Sequence, residues 1–90
     1  MITIEAPRVA GRQRAREDVS HLDLGPGSVV VVRFPERSAA TPSYLDELIL
    51  AVCLEGGARL TLKSLSERAK TVALESADRL GVSEQLEVSV

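Results

Sequence analysis

Four valines in a row, Val29-Val30-Val31-Val32, constrain this chain more than any other stretch. They run on into Arg33 and Phe34 and are closed by Pro35. β-Branched side chains favour extended backbone, and four without alternation leave no polar face. The run therefore predicts a strand buried on both faces, placed centrally in a sheet that helices cover. Gly25-Pro26-Gly27 supplies the turn leading into it. Residues 35–42 are expected as a loop.

Shorter signals surround that strand. Ile2 and Ile4 alternate with Thr3 and Glu5, which reads as a short strand near a sheet edge, ended by Pro7. Over residues 10–22 Ala15, Val19 and Leu22 fall on one helical face together with Gly11. A second helix should begin near Thr41-Pro42-Ser43. Pro42 suits the first helical position, which makes Thr41 the cap; Ser43 with Asp46 three residues on resembles a capping box. Gly56-Gly57 ends that helix. Residues 59–63 alternate as a strand. Ser64, with Glu67 three residues on, is expected to cap a third helix. Its apolar face is Leu65, Ala69, Val72, Ala73, Ala77 and Leu80, and Gly81 stops it. Leu86 and Val88 alternate again as a last strand. This order predicts a single small α/β domain over residues 1–90, βαβαβα(β), with a mostly parallel sheet and helices packed on it.

Composition narrows the function. The 90 residues carry a net charge of −2 and only 2% aromatic residues. A nucleic-acid binder built on bulk charge would be basic, and two aromatic side chains make no platform for stacked bases. One Cys (Cys53) and one His (His21) exclude a disulfide framework and a Cys/His zinc site within one chain. No cofactor or metal is expected. No apolar run nears the roughly 20 residues that span a bilayer. The N-terminus lacks the layout of a signal peptide, so the expected compartment is the cytoplasm. A chain this short has a thin stability margin, which makes a partner or a homodimer attractive.

Charge is unevenly placed. Residues 1–16 hold Arg8, Arg12, Arg14 and Arg16 against Glu5, a local +3, while the remainder is acidic. This segment reads either as a solvated helix face or as an anion or acidic-partner contact through Arg8 and Arg12. The helix over residues 43–55 is more informative. Leu45, Leu48, Ile49 and Val52 share its core face. Ser43, Glu47, Leu50 and Leu54 line the other side at i, i+4, i+7, i+11. A helix apolar on two sides is covered on two sides, either by its own chain or by a partner. Cys53 lies between the faces and reads as a small buried hydrophobe.

At Thr41-Pro42-Ser43-Tyr44-Leu45-Asp46-Glu47-Leu48 the chain resembles STAS-like domains of unknown function, a family related to bacterial anti-sigma-factor antagonists. The order of elements over residues 8–80 is compatible with that family. The resemblance implies a STAS-like fold and a signalling regulator that docks a protein partner through the helix beginning near Ser43. It also implies that Ser43 is the phospho-acceptor or switch, with Thr41 two residues before it. The partner it implies is a histidine-kinase-like ATPase. Arg33, Pro42 and Tyr44 depart from the family's usual residues.

Three functions are therefore in play. The first is a non-catalytic protein-interaction module with Ser43, Glu47, Leu50 and Leu54 as its contact. The second is a structural homodimer subunit with the leucines as its seam. The third is a small ligand-binding domain or enzyme, for which His21 with Asp18 or Asp23, or Ser43 near Asp46, would be the only acid–base or nucleophile candidates. No nucleophile elbow, Walker loop or dinucleotide fingerprint accompanies them. A helix-turn-helix reader is a weak fourth, since strands separate the helices.

Overall fold

The computed structural model describes residues 2–7, 9–35 and 39–89. Four strands, β1 (Ile2–Glu5), β3 (Val29–Arg33), β5 (Arg59–Lys63) and β6 (Leu86–Val88), form one all-parallel sheet in the order β1-β3-β5-β6. Three helices connect them in turn: α1 (Arg12–Val19), α2 (Pro42–Ile49) and α3 (Glu67–Leu80). A two-residue parallel ladder, β2 (Val9–Ala10) with β4 (Ala39–Ala40), ties the loops that lead into α1 and α2. The class is the α/β class expected, with β1 at an edge and the valine strand in the interior of the sheet. Among the described residues no helix is long and apolar enough to cross a membrane.

Strand order equals chain order, and that fixes where the helices go. Each right-handed crossover moves the same way across the sheet, so every helix lands on the same face. The register then builds two rows beneath them. Val30 lies beside Leu60, and Ile4, Val32, Leu62 and Val88 form the next row. These join Ala15 and Val19 of α1, the inner face of α2, and Ala73 and Ala77 of α3 in one core. Val30, Val32, Leu60 and Leu62 have no exposed surface. Burying each is worth about 1.5–3 kcal/mol.

The valine strand is buried on both faces, as expected, but among the described residues helices cover only one of them. Val31 points away from the helices and is outside the core, yet it is only 8% exposed. Its cover is lateral: Thr3 and Thr61 flank it in register. Val31 is thus walled in by its strand neighbours and not by a helix among the described residues.

Helix ends also depart from expectation. Gly11 is the N-cap of α1 and lies outside it, and the helix stops at Val19, short of residue 22. The third helix is capped by Ser66, whose Oγ accepts from the Ala69 N–H at 3.2 Å. Ser64 instead adopts a left-handed φ of 66° in the preceding turn. Ser64 stands three residues before Glu67 and so carries the capping-box spacing, which the true cap, with Ala69 three residues on, lacks. At the other end Gly81, at φ 74°, and the Val82 N–H to Ala77 carbonyl bond (2.9 Å) close the helix in a Schellman turn.

Candidate docking surface on the middle helix

Thr41 and Pro42 open α2. Thr41 Oγ1 accepts from the Tyr44 N–H at 3.1 Å, and Pro42 takes the first helical position, where its missing N–H costs nothing. Of the two caps the sequence allowed, Thr41 is the one used. That assignment takes Thr41 up structurally. Ser43, one residue further in, is exposed, and its hydroxyl makes no hydrogen bond among the described residues.

Because α2 lies between α1 and α3, three of its sides are buried. Tyr44, Leu45, Leu48, Ile49 and Val52 are at most 1% exposed, as the periodicity anticipated for all but Tyr44. The remaining outward strip is narrower than the four-residue stripe read from sequence. Glu47 is not on the surface: it is only 4% exposed. Arg12 of α1 donates to its Oε1 at 2.8 Å, and Arg16 closes on Oε2 as an ion pair without hydrogen-bond alignment. Arg16 also holds Glu55 with two hydrogen bonds, at 2.7 and 3.1 Å. That contact pulls the Glu55 carboxyl below its ordinary range and raises the Arg16 guanidinium. Leu50 is half-buried and Leu54 is 51% exposed.

A second reason for the narrowing is local geometry. After Ile49 the helix widens into a π-helix, Leu50–Glu55, ending with a Gly56 N–H to Ala51 carbonyl bond of 3.0 Å. Each π residue turns through a smaller angle than an α residue, so a wheel drawn at 100° misplaces the strip beyond residue 50. Gly56 and Gly57 terminate it. A Cβ on Gly56 would stand 2.8 Å from the Val52 carbonyl oxygen, and Gly57 sits at φ 65°.

On the α3 side, Asp46 accepts from Ser76 Oγ and from Arg79. Ser76 is 2% exposed. Pro42, Ser43 and Asp46 share a shallow cleft of about 310 Å³ with Arg12, Ser76 and Arg79. Ser43 and Arg12, singled out for unrelated reasons, thus border one cleft, and Arg79 joins them. Ser76 had a signal in the sequence, since it is a polar residue inside the apolar stripe of α3. Nothing marked Arg79 as the partner of a residue 33 positions earlier.

The acid–base candidates are dispersed. Asp18 accepts from Arg14 at 2.8 Å and from the Tyr44 hydroxyl at 2.9 Å, and makes no bond to His21, which is exposed like Asp23. Asp46 is occupied by Ser76 and Arg79 and does not serve Ser43. Cys53 is buried, and that burial pushes its thiol up to about 11. Arg8 lies outside the described residues. Among the described residues no three His, Cys, Asp or Glu side chains gather as a metal site. Comparison with protein-family models, curated proteins and solved structures returns no match to this chain.

Proposed function

We propose that the chain is a non-catalytic docking module of the cytoplasm that presents the outward strip of α2 to a protein partner and is switched at Ser43. The observation that carries this reading is the state of the helix head. Ser43 is exposed and uncommitted because Thr41 does the capping, and Leu50 and Leu54 continue from it along the same helix. A phosphate on Ser43 would add about −1.5 to −2 charges beside the positive end of the helix. Arg12 and Arg79 border the same cleft. The carboxylates a turn away, Asp46 and Glu47, already hold arginines, which lowers the repulsion that such a phosphate meets. The resemblance to anti-sigma-factor antagonists agrees with this reading and suggests a histidine-kinase-like ATPase as the partner.

The test is co-purification of the tagged chain from its source, a phosphopeptide search at Ser43, and affinity measurement with the partner found. Leu54→Glu and Ser43→Asp should each weaken binding while leaving the unfolding transition in place. Undiminished binding by both variants refutes the reading. The exposed Leu54 also admits a homodimer seam. One exposed leucine between ion pairs is small for a stable dimer, which makes this the second reading. Sedimentation at low micromolar concentration separates the two.

A further inference from the structure

A different surface lies on the other side of the molecule, and nothing said about α2 bears on it. All-parallel sheets are normally covered on both faces. Here, among the described residues, the helices and the core occupy one face only. On the open face Thr3, Val31 and Thr61 form a row, Val29 lies beside Arg59, and Arg33 lies beside Lys63. On the edge strands Glu5 lies in register beside Arg33, and Glu87 lies beside Thr61. The pattern is a strip of cations along the two central strands with an acid at either rim.

The pair Arg33 and Lys63 is the informative feature. Like charges directly opposite one another on neighbouring strands destabilise a sheet. Both side chains are exposed, and neither forms an ion pair among the described residues. By contrast Arg12, Arg14, Arg16 and Arg79 each hold a carboxylate. The row reads Glu5–Arg33–Lys63, with Glu5 in register on the other flank of Arg33, yet no ion pair closes between Glu5 and Arg33 among the described residues, and the two cations stay side by side on the open face.

We propose that this face docks an amphipathic helix of a partner protein, with acidic residues flanking its apolar stripe. A helix is the element that covers parallel sheets. Its stripe would lie along Val29 and Val31, and its carboxylates would meet Arg33 and Lys63 at one end and Arg59 at the other. Glu5 and Glu87 repel a carboxylate placed off centre and so align the helix over β3 and β5. Val31 is mostly walled in, so the apolar contribution is modest and charge supplies the rest. The complex is therefore salt-sensitive.

The probe is a synthetic helical peptide with a leucine–alanine stripe and glutamate flanks, compared with the same peptide carrying lysine flanks. Binding is read by fluorescence anisotropy and by amide shifts of the isotope-labelled protein. The glutamate peptide should bind saturably, shift amides of residues 29–33 and 59–63, and weaken with added salt. Arg33→Glu with Lys63→Glu should lower its affinity by about tenfold or more, while Leu54→Glu leaves it unchanged. Lys63→Glu alone repeats the comparison should the double variant melt early. The proposal is overturned by absence of saturable binding or by equal binding of the lysine peptide. Shifts confined to α2, or an unaffected double variant, overturn it too. So does retention on phosphatidylserine vesicles, or a dimer abolished by the double reversal, when the glutamate peptide does not bind. The α2 reading can fail without touching any of these outcomes.

Discussion

Removing one oxygen from Tyr44 tests how α2 is held against α1. The ring is fully buried and meets Phe34 edge to face, with centroids 6.2 Å apart and planes at 87°. Its hydroxyl donates to Asp18 Oδ2 at 2.9 Å. A hydrogen bond to a charged acceptor is worth about 1.5–3 kcal/mol. Asp18 keeps Arg14 at 2.8 Å after Tyr44→Phe, so the low end applies, about 1.5 kcal/mol. For a domain of this size that lowers the melting temperature by about 6–12 °C. The same residue sets an alkaline limit. Burial first, and the Asp18 hydrogen bond second, raise the phenol above its ordinary value of 10.0. The unfolded chain then loses its proton before the folded one does. This part of the stability is complete below pH 10 and declines as pH rises above it, by up to about 1.4 kcal/mol per pH unit. Tyr44 is the sole tyrosine and there is no tryptophan, so near-ultraviolet absorbance titrates this one group. Tyrosinate should appear well above the ordinary range and coincide with unfolding, and Tyr44→Phe should abolish the signal and flatten the alkaline slope. A phenol that titrates normally in the folded chain, or a Phe variant as stable as its parent, refutes the buried hydrogen bond.

Further expectations concern the helix ends and the thiol. Ser66→Ala should cost about 1 kcal/mol in denaturant unfolding through loss of the cap, whereas Ser64→Ala should leave that cap intact. Gly57→Ala forces a Cβ into a left-handed conformation and should cost about 1–2 kcal/mol, measured the same way. Cys53, with its thiol pushed up to about 11, should react with a disulfide reagent near neutral pH only at the rate of unfolding. A fast reaction in the folded state contradicts its burial.

What could be read from the residues follows physical range. Apolar periodicity is local, so the inner face of α2, the alanines of α3 and the alternation of β5 were legible. Ion pairs between helices are not local. Glu47 looked like surface because its spacing matched Ser43 and Leu50, and only the approach of Arg12 and Arg16 from α1 makes its burial tolerable. Caps were half legible: the start of α2 was marked, but Thr41 and Ser43 stayed open until the Tyr44 N–H is seen to bond Thr41, and the capping-box spacing favoured Ser64 over Ser66, the cap that is used. The widening after Ile49 left no mark in a sequence of ordinary helix formers, and it altered which residues share a side with Leu50.

Strand order explains both candidate surfaces at once. Had the sheet reversed direction partway, helices would have covered both faces, and the middle helix would have had neighbours on one flank only. Because it does not, α2 is clamped from α1 through Glu47 and from α3 through Asp46, and just a thin strip of it meets solvent. The same topology strips the opposite face of any helical cover, leaving Arg33 and Lys63 opposite each other. A charge change at the Ser43 head acts on a helix whose flanking arginines are already engaged, so its effect stays local to that strip. A partner of the kind proposed for the open sheet face would sit a full layer away through the core and would not compete for that strip.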